Sequence, residues 1–129
     1  MKKILIQTLI ISLFFISFNA TAEIKHIKDG NVDAKVKLVV FESLTCSHCG
    51  DFHRDIYPKL KTDFIDKNLI SIEYRNFPLD IAAFNAAKIA HCRNDGKSEI
   101  LHHLYNNQSS WVRGSTIEDL NKNLKRVVQ

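Results

Sequence analysis

Between residues 36 and 74 the hydrophobic period of the chain changes twice, and this pattern restricts the segment to strand, helix and strand. Val36-Lys37-Leu38-Val39-Val40-Phe41 is a nearly continuous β-branched and aromatic run, the composition of a strand covered on both faces in a parallel or mixed sheet. After Ser43-Leu44-Thr45, the residues Phe52, Ile56, Leu60 and Phe64 recur every four positions and predict the apolar face of an amphipathic helix. Pro58 lies inside that helix and removes one backbone hydrogen bond, which predicts a kink. Leu69-Ile70-Ser71-Ile72-Glu73-Tyr74 alternates and predicts a second strand. Strand, helix and strand in this order form a parallel crossover, right-handed by the rule for such connections.

The flanking segments add helices. Residues 24–37 are mixed and polar, with Asp29-Gly30-Asn31 as a turn signal and His26 without an evident role, so they are expected to lead in without a strand. Asp80 is placed to cap an alanine-rich helix from Ile81 to about Cys92, which Asn94-Asp95-Gly96 breaks. A further helix is predicted over 98–107. The last one starts at the capping box Ser115-Thr116-Ile117-Glu118 and presents Ile117, Leu120, Leu124 and Val128. The fold class is therefore α/β: one βαβ unit, residues 36–80, followed by helices over residues 81–129.

The N-terminus sets the expected compartment. Lys2 and Lys3 precede an uncharged, mostly apolar stretch over residues 4–18 and then Ala20-Thr21-Ala22, the pattern of a secretory signal peptide spanning residues 1–22. A membrane anchor is the competing reading, but a spanning helix needs about 20 apolar residues and this run stops at Asn19. The remaining residues, 23–129, suffice for one small domain. Without Lys2 and Lys3 the basic residues fall from 18 to 16 against 14 acidic ones, with signs interspersed along the chain. That is a solvated globular surface and gives no footprint for nucleic acid.

Cys46-Ser47-His48-Cys49 falls at the junction of the first strand and the helix. A helix N-terminus presents unpaired N–H groups and about half a positive charge, which favours a thiolate. Cys46, the outer residue, is the expected nucleophile, and Cys49, one turn inward, the resolving thiol. His48 adds a donor or a positive charge beside the sulfurs and would make the disulfide more oxidising. Two other readings stay open: half of a metal site completed by His48, His53 or His91, and a purely structural disulfide. The chain has three cysteines and no second pair at zinc-finger spacing, so no cofactor is assigned. His53, His102 and His103 read as surface residues. Cys92 fits either a partly exposed helix end, a small apolar core role or a second disulfide.

The ordered residues Gly30-Asn31-Val32-Asp33-Ala34, Ser43-Leu44-Thr45-Cys46-Ser47-His48-Cys49, Phe52-His53 and Tyr57-Pro58-Lys59-Leu60 resemble the DsbA-like thioredoxin-fold proteins of the bacterial periplasm. The likeness continues through Arg75-Asn76-Phe77-Pro78-Leu79-Asp80, Ala86-Ala87 to Cys92, and Leu104-Tyr105-Asn106-Asn107 with Trp111, which resemble the family's helical insert. The resemblance implies a periplasmic dithiol oxidase. Its Cys46-Cys49 disulfide would exchange with thiols of exported proteins, and a membrane quinone-linked partner would reoxidise it. The helical insert and His48 favour oxidation over isomerase or reductase roles.

Three departures accompany the resemblance. Ser47 stands where the family usually has proline. Val40 stands where an acid often lies, with Glu42 two residues later on the same strand face as a substitute. Family members also continue through a loop with a cis-proline, a β-hairpin and a closing helix, whereas the prolines here are Pro58 and Pro78. The expectation is a thioredoxin-like fold lacking its C-terminal ββα part, the N-terminal portion of a longer oxidoreductase. An inactive fragment and self-association through the exposed sheet edge are the alternatives. Some members carry a later cysteine that could pair with the counterpart of Cys92.

Overall fold

The computed structural model describes residues 23–129, so the signal-peptide expectation for residues 1–22 lies outside the described residues. Three strands, β1 (Ile27–Asp29), β2 (Val36–Glu42) and β3 (Ile70–Asn76), form a mixed sheet in the order β1-β3-β2. β2 and β3 run parallel in register from Val36 opposite Ile70 to Glu42 opposite Asn76, while β1 pairs antiparallel with β3. β1 corrects the expectation of a strandless lead-in. Its one apolar anchor, Ile27, is buried opposite Tyr74, too short a signal for periodicity to register. Gly30 closes the strand at φ +87, and its backbone packs so tightly that a Cβ would meet the Ile70 carbonyl oxygen at 2.8 Å.

β2 departs from expectation in its burial. Val36, Val39 and Phe41 are 50%, 50% and 67% exposed, because β2 is an edge strand of the described sheet and only Glu42 at its end is buried. The face carrying Ile70, Ile72 and Tyr74 is the covered one.

α1, residues 47–65, covers that face with an interrupted hydrogen-bond ladder. α-Helical Ser47–Asp51 and Tyr57–Leu60 alternate with π-type Phe52–Ile56 and Lys61–Ile65. Pro58 has no N–H to give, and the turn before it widens, with the Tyr57 N–H bonded to the Phe52 carbonyl. This reset is the form the expected perturbation at Pro58 takes. The wider turn also rotates the helix face. His53, Tyr57 and Ile65 point inward, while Ile56 and Phe64 from the predicted stripe are 56% and 45% exposed.

The remaining helices are α2 (Ile81–Ala90), α3 (Glu99–Asn106), α4 (Gln108–Trp111) and α5 (Ile117–Val127). Asp80 caps α2 as expected, its Oδ1 accepting the Ala83 N–H at 2.7 Å, and the buried alanines 82, 83, 86, 87 and 90 let α3 and α5 approach. α2 ends two residues before Cys92, which is exposed. The predicted helix over 98–107 breaks at Asn107, and the short α4 folds Gln108 and Trp111 inward, the Trp111 indole donating to the Leu104 carbonyl at 3.0 Å. α5 starts one residue later than predicted. Thr116 caps it, accepting the Asp119 N–H and donating to the Asp119 carboxylate, and Val127 replaces Val128 on its inner face. Among the described residues no helix is long and apolar enough to cross a membrane.

The rotated face of α1 is testable by stability. Leu104→Ala, at a fully buried position, is expected to lower the unfolding free energy by about 2–5 kcal/mol, whereas Ile56→Ala should change it by less than about 1 kcal/mol. Urea denaturation measures both. A loss at Ile56 as large as that at Leu104 would place residue 56 in the core and remove the argument for the π-type reset.

Candidate active site

The junction between β2 and α1 is fixed by hydrogen bonds from three directions. Within the loop, the Cys46 N–H bonds the Ser43 carbonyl at 3.0 Å, and the Cys46 carbonyl accepts the first helical bond from Gly50 at 3.1 Å. From α2, Asp80 accepts the Thr45 hydroxyl at 2.6 Å while capping its own helix, and the Leu79 N–H donates to the Ser43 hydroxyl at 3.3 Å. From α4, the buried Gln108 donates through Nε2 to both the Leu44 carbonyl at 2.9 Å and the Cys46 carbonyl at 2.8 Å. Gly50 is required for this last contact, because a Cβ there would lie 2.3 Å from Gln108 Oε1.

Cys46 is thereby held as the N-cap residue of α1, in extended conformation, with no acidic residue in the first turn. Hydrogen bonding from the Cys49 thiol and from the backbone N–H groups of Cys49 and His48 lowers its pKa below the free value. Cys49 lies deeper. Burial, reinforced by the charges of Cys46 and Glu42, pushes its pKa up to about 11. The pair is therefore split into one thiol poised to ionise and one held neutral. The His48 side chain is 94% exposed and turned toward Asp51, 3.6 Å away, so its backbone N–H is what reaches the Cys46 sulfur. Among the described residues no group of three or more His, Cys, Asp or Glu side chains could hold a metal ion, and His91 is occupied by Asn76 at 2.8 Å.

Behind the cysteines runs a chain of polar contacts that the sequence analysis did not anticipate. Glu42 and His53, 2% and 0% exposed in their side chains, pair at 2.8 Å through His53 Nε2. His53 Nδ1 lies 2.9 Å from His102 Nδ1, and His102 Nε2 lies 2.8 Å from Asp29 Oδ2. The hydroxyls of Tyr57, Tyr74 and Ser98 also donate to Asp29. Burial acting alone would raise the Asp29 pKa, but the bonds from His102, Ser98 and Tyr57 and the charge of His102 bring it down to about 2. The imidazoles are clamped by stacking, His53 on Tyr105 at 3.9 Å and His102 on Tyr57 at 4.0 Å. His53 and His102 are thus corrected from surface residues to interior ones, whereas His103 is exposed as expected. The signal for His53 was its place in the Cys49, His53, Tyr57 row, which also repeats every four residues. Gln108, Asp29 and His102 had no local signal at all.

The family model described as thioredoxin matches residues 22–127. A proposed protein-disulfide oxidoreductase of Rickettsia bellii is 36% identical over 93 residues, covering 70% of this chain and 36% of that protein. Its counterpart in Rickettsia prowazekii is 33% identical over 93 residues, 70% of this chain and 34% of that protein. Among solved structures, alpha-DsbA1 of Wolbachia pipientis superposes with a TM-score of 0.70 at 30% identity, over 80% of this chain and 52% of that one. BdbD of Bacillus subtilis, at 22% identity and a TM-score of 0.55, shares the fold. The chain spans about a third of the length of the curated relatives it matches.

The split pair makes a pH prediction. In the reduced protein, the contribution of Cys49 to stability is whole below its unfolded value near 9 and is lost as pH rises through about 11. That of Cys46 has the opposite sense, present above 9 and lost as pH falls through its own lower value. Alkylation followed cysteine by cysteine should therefore modify Cys46 below pH 9 and leave Cys49 protected until near 11. Glu42→Gln removes one of the charges that raise Cys49 and should move its titration down without a comparable change at Cys46. Coincident titration of the two thiols would overturn the assignment.

Proposed function

Since the chain belongs to the thioredoxin family, on its DsbA-like side, we propose that it is a thiol-disulfide oxidoreductase that exchanges its Cys46-Cys49 disulfide with thiols of other proteins. The observation that carries this reading is the division of labour within the pair. Cys46 is ionisable at the mouth of the helix, and Cys49 is neutral one turn inside. A substrate thiolate attacks Cys46, Cys49 leaves with the bonding electron pair, and a second substrate thiolate releases Cys46. The substrate gains a disulfide and the protein becomes a dithiol.

The favoured direction is oxidation. Stabilising the Cys46 thiolate stabilises the reduced form, and this makes the disulfide a stronger oxidant. The helix terminus and the backbone N–H groups of His48 and Cys49 supply that stabilisation, with the His48 imidazole at the rim where an incoming polypeptide would meet it. Phe77, Leu79 and Ile81 are 62%, 65% and 58% exposed on the segment that Ser43 and Thr45 tie to the site, an apolar rim suited to an unfolded chain. The substrates in this reading are exported proteins with cysteines, encountered in the periplasm after removal of residues 1–22. A membrane quinone-linked partner restores the disulfide, and the open edge of β2 offers a route to self-association.

The test is trapping. Cys49→Ala, incubated with a reduced, unfolded cysteine protein under mild oxidation, should accumulate a mixed disulfide through Cys46, and Cys46→Ala should accumulate none. Absence of that adduct, with Cys46 alkylating at the rate of a free cysteine, would leave an inactive fragment as the better reading.

A further inference from the structure

Gln108 opens the short α4 and reaches the redox loop through a single group. The two protons of its amide nitrogen go to two carbonyls, Leu44 at 2.9 Å and Cys46 at 2.8 Å, so the donor capacity of Nε2 is fully used. The same pair fixes which way the amide points, since a flipped Oε1 would face two acceptors. The residue is buried, and Trp111, fully buried one turn later with its indole bonded to the Leu104 carbonyl at 3.0 Å, anchors α4.

Two observations give this contact a purpose beyond satisfying buried polar groups. The Cys46 carbonyl already accepts the Gly50 N–H at 3.1 Å, so it needs no second donor. What the second donor adds is direction. A carbonyl and the N–H that follows it share one rigid plane, so holding the Cys46 oxygen holds ψ of Cys46 at 120° and sets the angle at which the chain enters α1. The other observation is Gly50. Glycine inside a helix is destabilising relative to alanine, yet a Cβ here would lie 2.3 Å from Gln108 Oε1 and 3.0 Å from Gln108 Cδ and would displace the amide. The helix gives up stability at the position that faces Gln108.

We propose that Gln108 is a positioning residue for disulfide exchange: through the Cys46 carbonyl it sets the entry of the chain into α1 and so aims the first N–H groups of that helix at the Cys46 sulfur. The proposal rests on the disulfide-exchange reading and adds to it a control point in the helical segment, 62 residues along the chain from the nucleophile. When a second substrate thiolate resolves the mixed disulfide, a bond forms between the two substrate sulfurs, the Cys46-substrate bond breaks, and the electron pair leaves on Cys46. The backbone N–H groups of His48 and Cys49 meet that charge. Gln108 exchanges no proton or electron in this step and acts through the backbone.

The experiment follows alkylation of Cys46 by iodoacetamide against pH in the reduced protein. Gln108→Met, of similar length but without a donor, should slow the reaction at mildly acidic pH by about threefold to tenfold, the effect of one net hydrogen bond. Its titration should move toward that of a free cysteine. Gly50→Ala, which displaces the amide from the helix side, should do the same, and it carries the test if Gln108→Met does not fold. Gly50→Ala added to Gln108→Ala should slow alkylation no further, because the methyl group then occupies space the amide has left. Leu104→Ala, destabilised through packing, should keep the wild-type rate and pH profile, which separates positioning from a general loss of stability. Wild-type alkylation in the folded variants, equal slowing in Leu104→Ala, or a further loss in the double variant would each overturn the role. Failure to trap a mixed disulfide, with these rates as expected, removes the proposed function and leaves the positioning role. Successful trapping with a wild-type rate in Gln108→Met does the reverse.

Discussion

The buried pair of Glu42 and His53 is the contact on which the remainder of the site depends. Two ionisable groups withdrawn from water are costly to place, and their mutual contact and further hydrogen bonds offset that cost, although Glu42 Oε1 is left without a partner among the described residues. Glu42 is the last residue of the edge strand β2, and His53 lies in the first π-type segment of α1. Their contact therefore fixes the distance and rotation between strand and helix on either side of the Cys46 loop. Removing one partner of such a pair costs about 3–5 kcal/mol, since the other is left charged and alone in the interior.

Satisfying that pair dictates features elsewhere. His53 faces inward only if α1 is rotated away from the stripe of Phe52, Ile56, Leu60 and Phe64, and the widened turn before Pro58 supplies the rotation. The second nitrogen of His53 needs a partner, and this draws in His102 from α3. His102 in turn needs a carboxylate, which selects β1, because Asp29 stands at its end with three hydroxyl groups directed at it. The short strand that hydrophobic periodicity overlooked is thus held by polar contacts as much as by Ile27. The hydrogen-bonded chain crosses from β2 to α1, α3 and β1, so the helical segment after residue 81 is coupled to the redox loop through side chains and not through packing alone.

What the sequence revealed followed the reach of its signals. Strand β3, the cap at Asp80 and the CxxC at a helix start were legible because each rests on residues within one turn or one strand of each other. The resemblance carried the fold further than periodicity could. The face of α1 was read in part: Phe52 and Leu60 pack against the core, whereas Ile56 and Phe64 do not, because a period of four also fits the Cys49, His53, Tyr57 row and hydrophobicity alone does not choose it. Burial of β2 was misread because an apolar strand composition does not say which partners lie within the described sheet. Gln108 and Asp29 reach the site from 62 residues after Cys46 and from the strand before it, separations at which no spacing rule operates.

The two cysteines show why a motif by itself does not specify chemistry. Cys46 and Cys49 are three positions apart on one helix, yet one has its pKa lowered and the other raised to about 11. The backbone accounts for the first effect: N–H groups at the start of α1 converge on Cys46, and Gln108 and Ser43 hold the loop so that they do. The interior accounts for the second, since burial of Cys49 disfavours a negative charge there and the charges of Cys46 and Glu42 add to that effect. These effects reinforce each other. The thiol of Cys49 can donate to the Cys46 sulfur only while it keeps its proton, and the surroundings that keep it protonated therefore also lower the pKa of its neighbour. An exchange reaction that opens this pair must consequently move a proton as well as two electrons.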